Sequence, residues 1–482
     1  MAPMKLAIIG GGPSAFYVAS RILSLNSSAA LRVHMYDRLW APHGLVRYGV
    51  APDHPEVKNC TNKFDTAASD SRFRFFGNVN VGGSAATNPL PHALHVPLQS
   101  VSSRYTHLLF ATGCTQSALH EALPPSSHCV PALSFVHWYT QHPSNPPPPA
   151  LENMTHVSLI GNGNVSLDVA RMLLTSPSVL AKYDVPEHVL STLSRSSVKH
   201  VSIIARRGPL EVAFTTKELR ELITLPEASM IPLDPKLLEP NPDEPLTRQQ
   251  SRIFQLLQKG SKMKPGTTPK TWSLDFFRSP TGLALPSPSS SSSLAQLSLA
   301  HTMVDPKTKR AVPTGDTTTL PTSLVVTSLG FRGEPAMPFF DPGLGHLRTV
   351  AGRIVDAKGR ALPKVYASGW AAMGARGVLA ATMMDAYSVA DTMLGDLASS
   401  ESAESGPSSA AEPLDEESPP FSMSDSVDLD DLPPEVEKGL REKQVVQYAD
   451  WKAINEEETR RGESMQKERE RMGWDEAHRF IS

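Results

Sequence analysis

The chain has 482 residues, of which 40% are hydrophobic and 20% charged. That length supports two or three domains with cores of their own, and no apolar run reaches the roughly 20 residues of a membrane-spanning helix. Glu401 to Glu437 contributes twelve acids and no Lys or Arg, and Lys438 onwards balances at ten of each sign, so the net charge of −3 leaves the first 400 residues at +9; such a body suits an acidic partner or an anionic cofactor, with ordinary surface charge as the alternative.

The first predicted strand follows directly on Met-Ala-Pro, so no cleavable targeting peptide is expected ahead of it. Lys5-Leu-Ala-Ile-Ile-Gly10-Gly-Gly12-Pro-Ser-Ala15 reads as strand, glycine turn and helix. The helix runs from Pro13 to Leu25, and the next strand from Leu31 to Asp37. Arg72 to Val81 and Tyr105 to Gly113 read as further strands. Strand–helix–strand order implies a parallel sheet with helices on its faces.

Ser144 to Ala150, with four consecutive prolines, reads as a loop ahead of a second unit of the same kind. That unit is His156-Val-Ser-Leu-Ile-Gly161-Asn-Gly163-Asn-Val-Ser166, with a helix from Val165 to Leu174 and a strand from Val201 ending in Arg206-Arg207. Thr215 to Leu225 is a further helix. Pro232 to Ser293 is poorly patterned and reads mostly as loop with scattered helix, its Pro286 to Ser293 part being serine-rich low complexity. Strand character returns at Leu324 to Gly330 and Lys364 to Gly369. The latter runs into Trp370-Ala-Ala-Met-Gly374-Ala-Arg-Gly377 and an apolar helix from Val378 to about Leu394, as if the chain returned to its first domain. Ser399 to Pro434 reads as an acidic disordered linker. Glu435 to Ile481 is helix-prone, with Val446, Trp451 and Ile454 available for docking on the body.

Glycines at a strand-to-helix turn let the backbone approach a pyrophosphate, whose charge then rests on the helix N-terminus. Such turns are common by chance. The first gains from its flanking strand and helix, from Ala15 as a permitted small third residue, and from Asp37 at the next strand end. A carboxylate there accepts from a ribose 2′-hydroxyl and repels a 2′-phosphate; a solvated strand-end acid is the alternative. The second turn departs further, with Ser166 at its third position, and could be purely structural. Arg206 and Arg207 favour a 2′-phosphate, against a solvated basic cluster. FAD at the first turn and NADPH at the second is the simplest pair that fits.

Leu45-Val-Arg-Tyr-Gly-Val-Ala-Pro-Asp-His-Pro-Glu-Val-Lys58 closely resembles the adrenodoxin reductase family, the mitochondrial-type ferredoxin–NADP⁺ reductases. So do Phe76-Gly-Asn-Val-Asn-Val81, Gly161-Asn-Gly-Asn-Val-Ser-Leu-Asp-Val-Ala-Arg171, Arg206-Arg-Gly-Pro-Leu, Thr216-Lys-Glu-Leu-Arg-Glu221, Phe276-Phe-Arg-Ser-Pro280, Val312-Pro-Thr-Gly-Asp316 and Tyr448-Ala-Asp-Trp451. The resemblance implies an α/β fold of two Rossmann-like dinucleotide-binding domains, the NADP domain inserted into a discontinuous FAD domain. The boundaries expected are 1–115 and 326–398 for the FAD domain, 116–325 for the NADP domain with low complexity near 286–293, 399–434 for the linker and 435–482 for a helical tail. It further implies FAD contacts at Gly10, Gly12, Ser14, Asp37, Leu45, Val81, Trp370, Gly377, Val378 and Leu379. NADP contacts are implied at Asn162, Gly163, Asn164, Val165, Arg206, Arg207, Glu218 and Gly377. His54 and Asp168 match positions of a proton relay, with a structural role for both as the alternative. Trp370 has a packed core aromatic as its alternative, and the helix at Gly377 an ordinary buried helix.

The chain departs from the family where a lysine–arginine pair and a Gly-Pro-Thr-Gly turn are usual after the tryptophan; Ala371, Ala372, Met373 and Gly374-Ala-Arg376-Gly377 stand there, with Arg376 as a compensating charge. The expected activity is hydride transfer from NADPH to FAD, then single electrons to an acidic [2Fe–2S] ferredoxin. Only Cys60, Cys114 and Cys129 are present, which indicates neither a disulfide framework, a metal site nor an internal redox dithiol, so electrons must leave for an external acceptor. Arg220 and other bases are candidates for docking it, each with surface solvation as the alternative. A monomer in the mitochondrial matrix is implied, with the cytoplasm as the alternative since no targeting peptide is visible, without nucleic acid, and with peripheral membrane association compatible. The competing readings are an NADPH flavoprotein reducing an organic substrate, and a non-catalytic dinucleotide-binding module.

Overall fold

In the computed structural model, residues 3–82, 90–239, 245–286, 293–403, 423–424 and 427–482 are described. The chain divides into two compact units, one made of Met1–Val50, His54–Gln116 and Phe331–Ser482, the other of Ala51–Asp53 and Ser117–Gly330.

The first unit is built on a seven-stranded sheet whose spatial order is Thr349–Val350, Arg353–Val355, Ala361–Ala367, His107–Phe110, Met4–Ile9, Leu31–Asp37 and Phe73–Gly77. The last five run parallel, and Ala361–Ala367 enters beside His107–Phe110 with Val365 opposite Leu108. The late strand thus completes a sheet begun 350 residues earlier. Its position follows from the hydrophobic pattern: Met4–Ile9 is buried throughout, as only a strand covered on both faces can be. Helix Pro13–Leu25 buries Ala15, Phe16, Val18, Ala19, Ile22 and Leu23, a helical-period stripe that shares one core with Ala386, Val389, Ala390, Met393 and Leu397 of the returning helix Leu379–Ala403. Each such large apolar side chain stabilises the unit by about 1.5–3 kcal/mol on burial.

The strand read as Arg72 to Val81 is two strands, Phe73–Gly77 and Val79–Val81, broken at Asn78. Asn78 sits in the left-handed region at φ 63°, and its side-chain amide donates to the His92 and Gln444 carbonyls. Asn is among the few residues that tolerate that conformation. The returning helix continues to Ala403, beyond the Ser399 at which the sequence suggests a linker; 404–422 and 425–426 lie outside the described residues. Farther on, Asp428 and Asp431 offer carbonyls to Lys5 Nζ at 2.6 and 2.5 Å, while Asp430 and Asp431 pair with Arg32 and Arg104. The tail forms helices Pro434–Arg441, Tyr448–Ser464 and Trp474–Ala477, and Val446, Trp451 and Ile454 are buried.

The second unit holds a six-stranded, all-parallel sheet in the order Ala228–Met230, Lys270–Asp275, His200–Ile204, His156–Ile160, Leu324–Thr327 and Cys129–Pro131. Here the expectation of mostly loop with scattered helix across 232–293 is corrected by strands. The segment contains helix Arg248–Lys259, closed by a Thr247–Gln250 capping box and burying Ile253, Phe254 and Leu257, as well as strands Lys270–Asp275 and Arg278–Ala284. Lys270–Asp275 escapes a hydrophobic reading because Thr271 and Ser273 hydrogen-bond His200 in the neighbouring strand instead of packing as apolar groups. Arg278–Ala284 joins Ala295–Val304 and Ala311–Thr322 in a three-stranded antiparallel sheet. Of the serine-rich low-complexity segment Pro286 to Ser293, 287–292 lies outside the described residues.

Candidate nucleotide-binding sites

In the first unit, four stretches of chain converge on the glycine turn that follows Met4–Ile9. Gly10 adopts φ +109°, and a methyl there would overlap the Ala111 carbonyl, so only glycine lets the turn lie against the end of His107–Phe110. Asp37 pins the turn to the end of the second strand: Gly11 N–H donates to its Oδ2 at 2.9 Å and Leu39 N–H to its Oδ1 at 3.0 Å. Burial pushes the Asp37 carboxyl up to about 6, against the opposing pull of these amides and of Arg38. His43 N–H donates to Gly11 O at 2.8 Å, and Gly44 passes 3.0 Å from the Gly12 Cα on the same measure of an added methyl, which delivers Leu45 beside the turn. His43 is itself held by the tail, its Nε2 lying 3.2 Å from the Tyr448 hydroxyl.

The fourth stretch is the chain's return. A methyl on Gly369, at φ +65°, would lie 2.7 Å from Ser14 Cβ. Ser14 Oγ is 2.6 Å from Ser368 Oγ, and Asp385 Oδ2 accepts from both Ser368 Oγ and Gly369 N–H. Trp370 follows, its indole N–H donating to Arg376 O at 3.2 Å and its ring stacked on Phe331, while its carbonyl accepts from the Cys114 thiol. The altered turn is therefore closed by Trp370 itself, with Gly374 and Gly377 both at positive φ and the Arg376 side chain exposed. Gly377 and Val378 are exposed, Leu379 half-buried as it opens the returning helix, and Val81 is buried at the end of Val79–Val81.

These residues leave room for an anion. A methyl on Gly12 or on Gly113 would meet nothing within 4 Å, and no side chain caps helix Pro13–Leu25. Its first-turn amides are thus left to a ligand. A dinucleotide lying across the turn fits.

The second unit repeats the arrangement with different locks. Gly161 adopts φ +115°, and a methyl there would overlap the Ser328 carbonyl. Ser166, the departure from the usual small third residue, is buried and donates to Gly161 O at 2.6 Å, closing the turn from within the helix. Asn162, Gly163, Asn164 and Val165 are half-buried; a methyl on Gly163 would meet nothing within 4 Å, and helix Asn164–Leu174 has no side-chain cap. Asn164 Oδ1 accepts from Thr215 N–H, tying this turn to the start of helix Thr216–Ile223. Arg206 is exposed and Arg207 half-buried, and neither guanidinium forms an ion pair among the described residues. Their loop is shaped by Phe277, at φ 57°, whose ring occupies the space a methyl on Gly208 would need, and by Thr302, which donates to Arg206 O at 2.8 Å.

Asp168 and Glu218 meet at Arg171. This buried guanidinium binds Asp53 at 2.6 Å, Asp168 at 2.8 Å and Glu218 at 2.9 Å, with Glu221 at 3.4 Å, and the surrounding acids hold its pKa above the usual arginine range despite desolvation. His54 is buried in the first unit, preceding the turn Pro55–Cys60. Sequence reasoning missed His43, Ser368 and Asp385. Asp385 carried one signal: it is the only charged residue between Arg376 and Asp391, a stretch that is otherwise mostly apolar.

The chain is similar along almost its whole length to known proteins. Bovine mitochondrial NADPH:adrenodoxin oxidoreductase is 37% identical over 483 residues, covering 97% of this chain and 90% of that protein. NADPH-ferredoxin reductase FprA of Mycobacterium tuberculosis is 36% identical over 413 residues, covering 82% and 85%. Among solved structures, Mycobacterium tuberculosis FprA in complex with NADPH aligns with a TM-score of 0.82 at 30% identity over 99% of both chains. No protein-family profile matches the sequence. With two open glycine turns, each at the end of a parallel strand, the first sheet completed by the late chain, and this identity across nearly all 482 residues, the chain belongs to the NADPH:adrenodoxin oxidoreductase family.

Proposed function

We propose that the protein is an FAD-dependent NADPH:ferredoxin oxidoreductase, taking a hydride from NADPH and delivering single electrons to a [2Fe–2S] ferredoxin. The observation that carries this is the pairing, in one chain of this family, of two open glycine turns, the second strand of one ending in Asp37 and that of the other followed, two residues past Ile204, by Arg206–Arg207. FAD, when bound, supplies the conversion of a two-electron hydride into single electrons.

The protein's own part is binding, orientation and electrostatics. Gly10, Gly12 and Ser14 would hold the FAD pyrophosphate and Asp37 its ribose, with Leu45, Val81, Trp370, Gly377, Val378 and Leu379 lining the remainder. The N-terminus of Leu379–Ala403 favours negative charge placed near Gly377. Asn162, Gly163, Asn164 and Val165 would hold the NADPH pyrophosphate, and Arg206 and Arg207 the 2′-phosphate by charge-assisted hydrogen bonds. Gly377 lets a flat ring approach without a side chain in the way, and Glu218, fixed by Arg171, would complete the NADPH contacts. His54 and Asp168 are assigned to proton handling, on their place in the matching strings.

An acidic ferredoxin suits the +9 carried by the first 400 residues, and Arg220 is exposed on Thr216–Ile223. The mitochondrial matrix is the compartment proposed, supported by the mitochondrial relatives, with a monomeric protein; the bacterial FprA is equally a relative. Among the described residues no helix is long and apolar enough to cross a membrane. The test is a flavin absorbance spectrum of the purified protein, followed by NADPH-driven cytochrome c reduction with and without added ferredoxin. Flavin with ferredoxin-dependent turnover supports the proposal; no flavin, or turnover indifferent to ferredoxin, overturns it.

A further inference from the structure

Three hydrogen bonds close the first glycine turn from the far end of the chain, and two of them end on one carboxylate oxygen. Ser368 Oγ donates to Asp385 Oδ2 at 2.9 Å, and Gly369 N–H donates to the same oxygen at 2.6 Å. Ser14 Oγ lies 2.6 Å from Ser368 Oγ. A hydroxyl has a single proton. Because the Ser368 proton goes to Asp385, the proton in the Ser14–Ser368 bond must come from Ser14. The relay therefore runs in one direction, Ser14 to Ser368 to Asp385.

That direction has a chemical consequence. The Ser14 hydroxyl can act on a ligand only as an acceptor, and phosphate oxygens are acceptors as well. What Ser14 presents to a pyrophosphate is its backbone N–H, in the first turn of a helix that no side chain caps. The same carboxylate acts on the returning chain through Gly369, whose φ of +65° turns the backbone from the strand Ala361–Ala367 into Trp370. The packing leaves no slack, since a methyl on Gly369 would lie 2.7 Å from Ser14 Cβ and 2.8 Å from its Oγ. A mere helix-stabilising role does not account for Asp385. It lies well inside Leu379–Ala403, beyond the first turn where an acid favours the helix dipole, and forms no ion pair among the described residues.

We infer that Asp385 is a positioning residue of the FAD site: through Ser368 it turns the Ser14 hydroxyl away from the pyrophosphate, and through the Gly369 amide it fixes the turn that presents Trp370. The inference rests on the flavoprotein reading above. It gives one side chain a hold on the first glycine turn and on the returning chain at once.

The experiment uses the full-length protein and its D385A, D385N and S368A variants. FAD affinity is measured by titrating the deflavinated protein, together with the visible flavin spectrum and the KM for NADPH at saturating FAD. D385A loses both arms and is expected to bind FAD about tenfold more weakly or worse, with a shifted flavin spectrum. D385N keeps an acceptor oxygen and recovers part of the loss. S368A cuts only the Ser14 arm and frees the Ser14 proton for a phosphate oxygen, tightening FAD by about threefold with the spectrum kept. The KM for NADPH stays unchanged in S368A, which keeps the Gly369 arm and so the Trp370 turn; a general loosening of the fold would not allow that. D385A with wild-type FAD affinity and spectrum overturns the inference; should D385A fail to fold, S368A with wild-type affinity overturns it. A wild-type protein that takes up no FAD overturns the flavoprotein reading itself, and the inference with it.

Discussion

Arg47 and Glu458, 411 residues apart, form a buried ion pair at 2.8 Å, their side chains 6% and 0% exposed. The guanidinium also lies over the Trp451 ring at 4.7 Å and the Tyr48 ring at 5.2 Å. Arg47 stands two residues after Leu45, so the tail helix Tyr448–Ser464 reaches the wall of the first nucleotide turn. R47A leaves a fully buried carboxylate with Arg469 at 3.6 Å as its remaining ion-pair partner. The expected cost is about 3 kcal/mol in urea unfolding, with faster loss of FAD, whereas R47K retains part of both.

Gly161 carries a sharper prediction for the second unit. G161A combines a positive φ with overlap on the Ser328 carbonyl, so it should destabilise by more than about 2 kcal/mol. S166A removes one hydrogen bond to the same residue and should cost about 1 kcal/mol. Thermal melts of the two variants check the order; a G161A protein as stable as S166A contradicts the close approach.

Both sheets were legible in the sequence because each begins as a buried apolar strand running into a glycine turn. Met4–Ile9 and His156–Ile160 announce themselves in this way, and Asp37 and Arg206–Arg207 announce where the next strands end. The returning strand was legible through Trp370 and its glycines. Lys270–Asp275 was not, because its alternate residues satisfy polar neighbours across the sheet. The role of Ser368 and Asp385 was hidden for a different reason: it exists only once residue 14 and residue 368 are brought together, and no local pattern encodes that meeting, although the lone acid at 385 marks itself in the sequence.

Arg206 and Arg207 should govern coenzyme choice. The double variant R206A/R207A is expected to raise the KM for NADPH by about 10- to 100-fold, with kcat and the KM for NADH little changed, as loss of charge-assisted bonds to a 2′-phosphate requires. Steady-state kinetics with both coenzymes checks this. An equal loss for NADH and NADPH removes the role given to the pair.

Acid should destabilise the first unit early. Burial depresses His34 and His43 to about 3 and His107 to about 4, against 6.5 for an exposed imidazole. Folded values below the unfolded value mean that the unfolded chain takes up protons first, so this stability is complete above pH 6.5 and is lost as pH falls toward 4. Asp37, raised to about 6, works in the opposite direction between pH 6 and 3.8, one group against three. The net loss expected from these four groups is about 3 kcal/mol per pH unit between pH 6 and 4. Unfolding measured across that range should steepen accordingly, and H43N, whose side chain tolerates the φ of 82° at that position, should flatten the dependence by about a third of the histidine contribution.

The central claim is tested most directly by electron counting. Under anaerobic conditions, a limiting amount of NADPH is added to the purified flavoprotein with excess oxidised [2Fe–2S] ferredoxin, and reduced ferredoxin is read from its visible absorbance. The account predicts two ferredoxins reduced for each NADPH consumed, with little reduction when NADH replaces it. NADPH consumption without ferredoxin reduction, or equal yields from NADH, would contradict it.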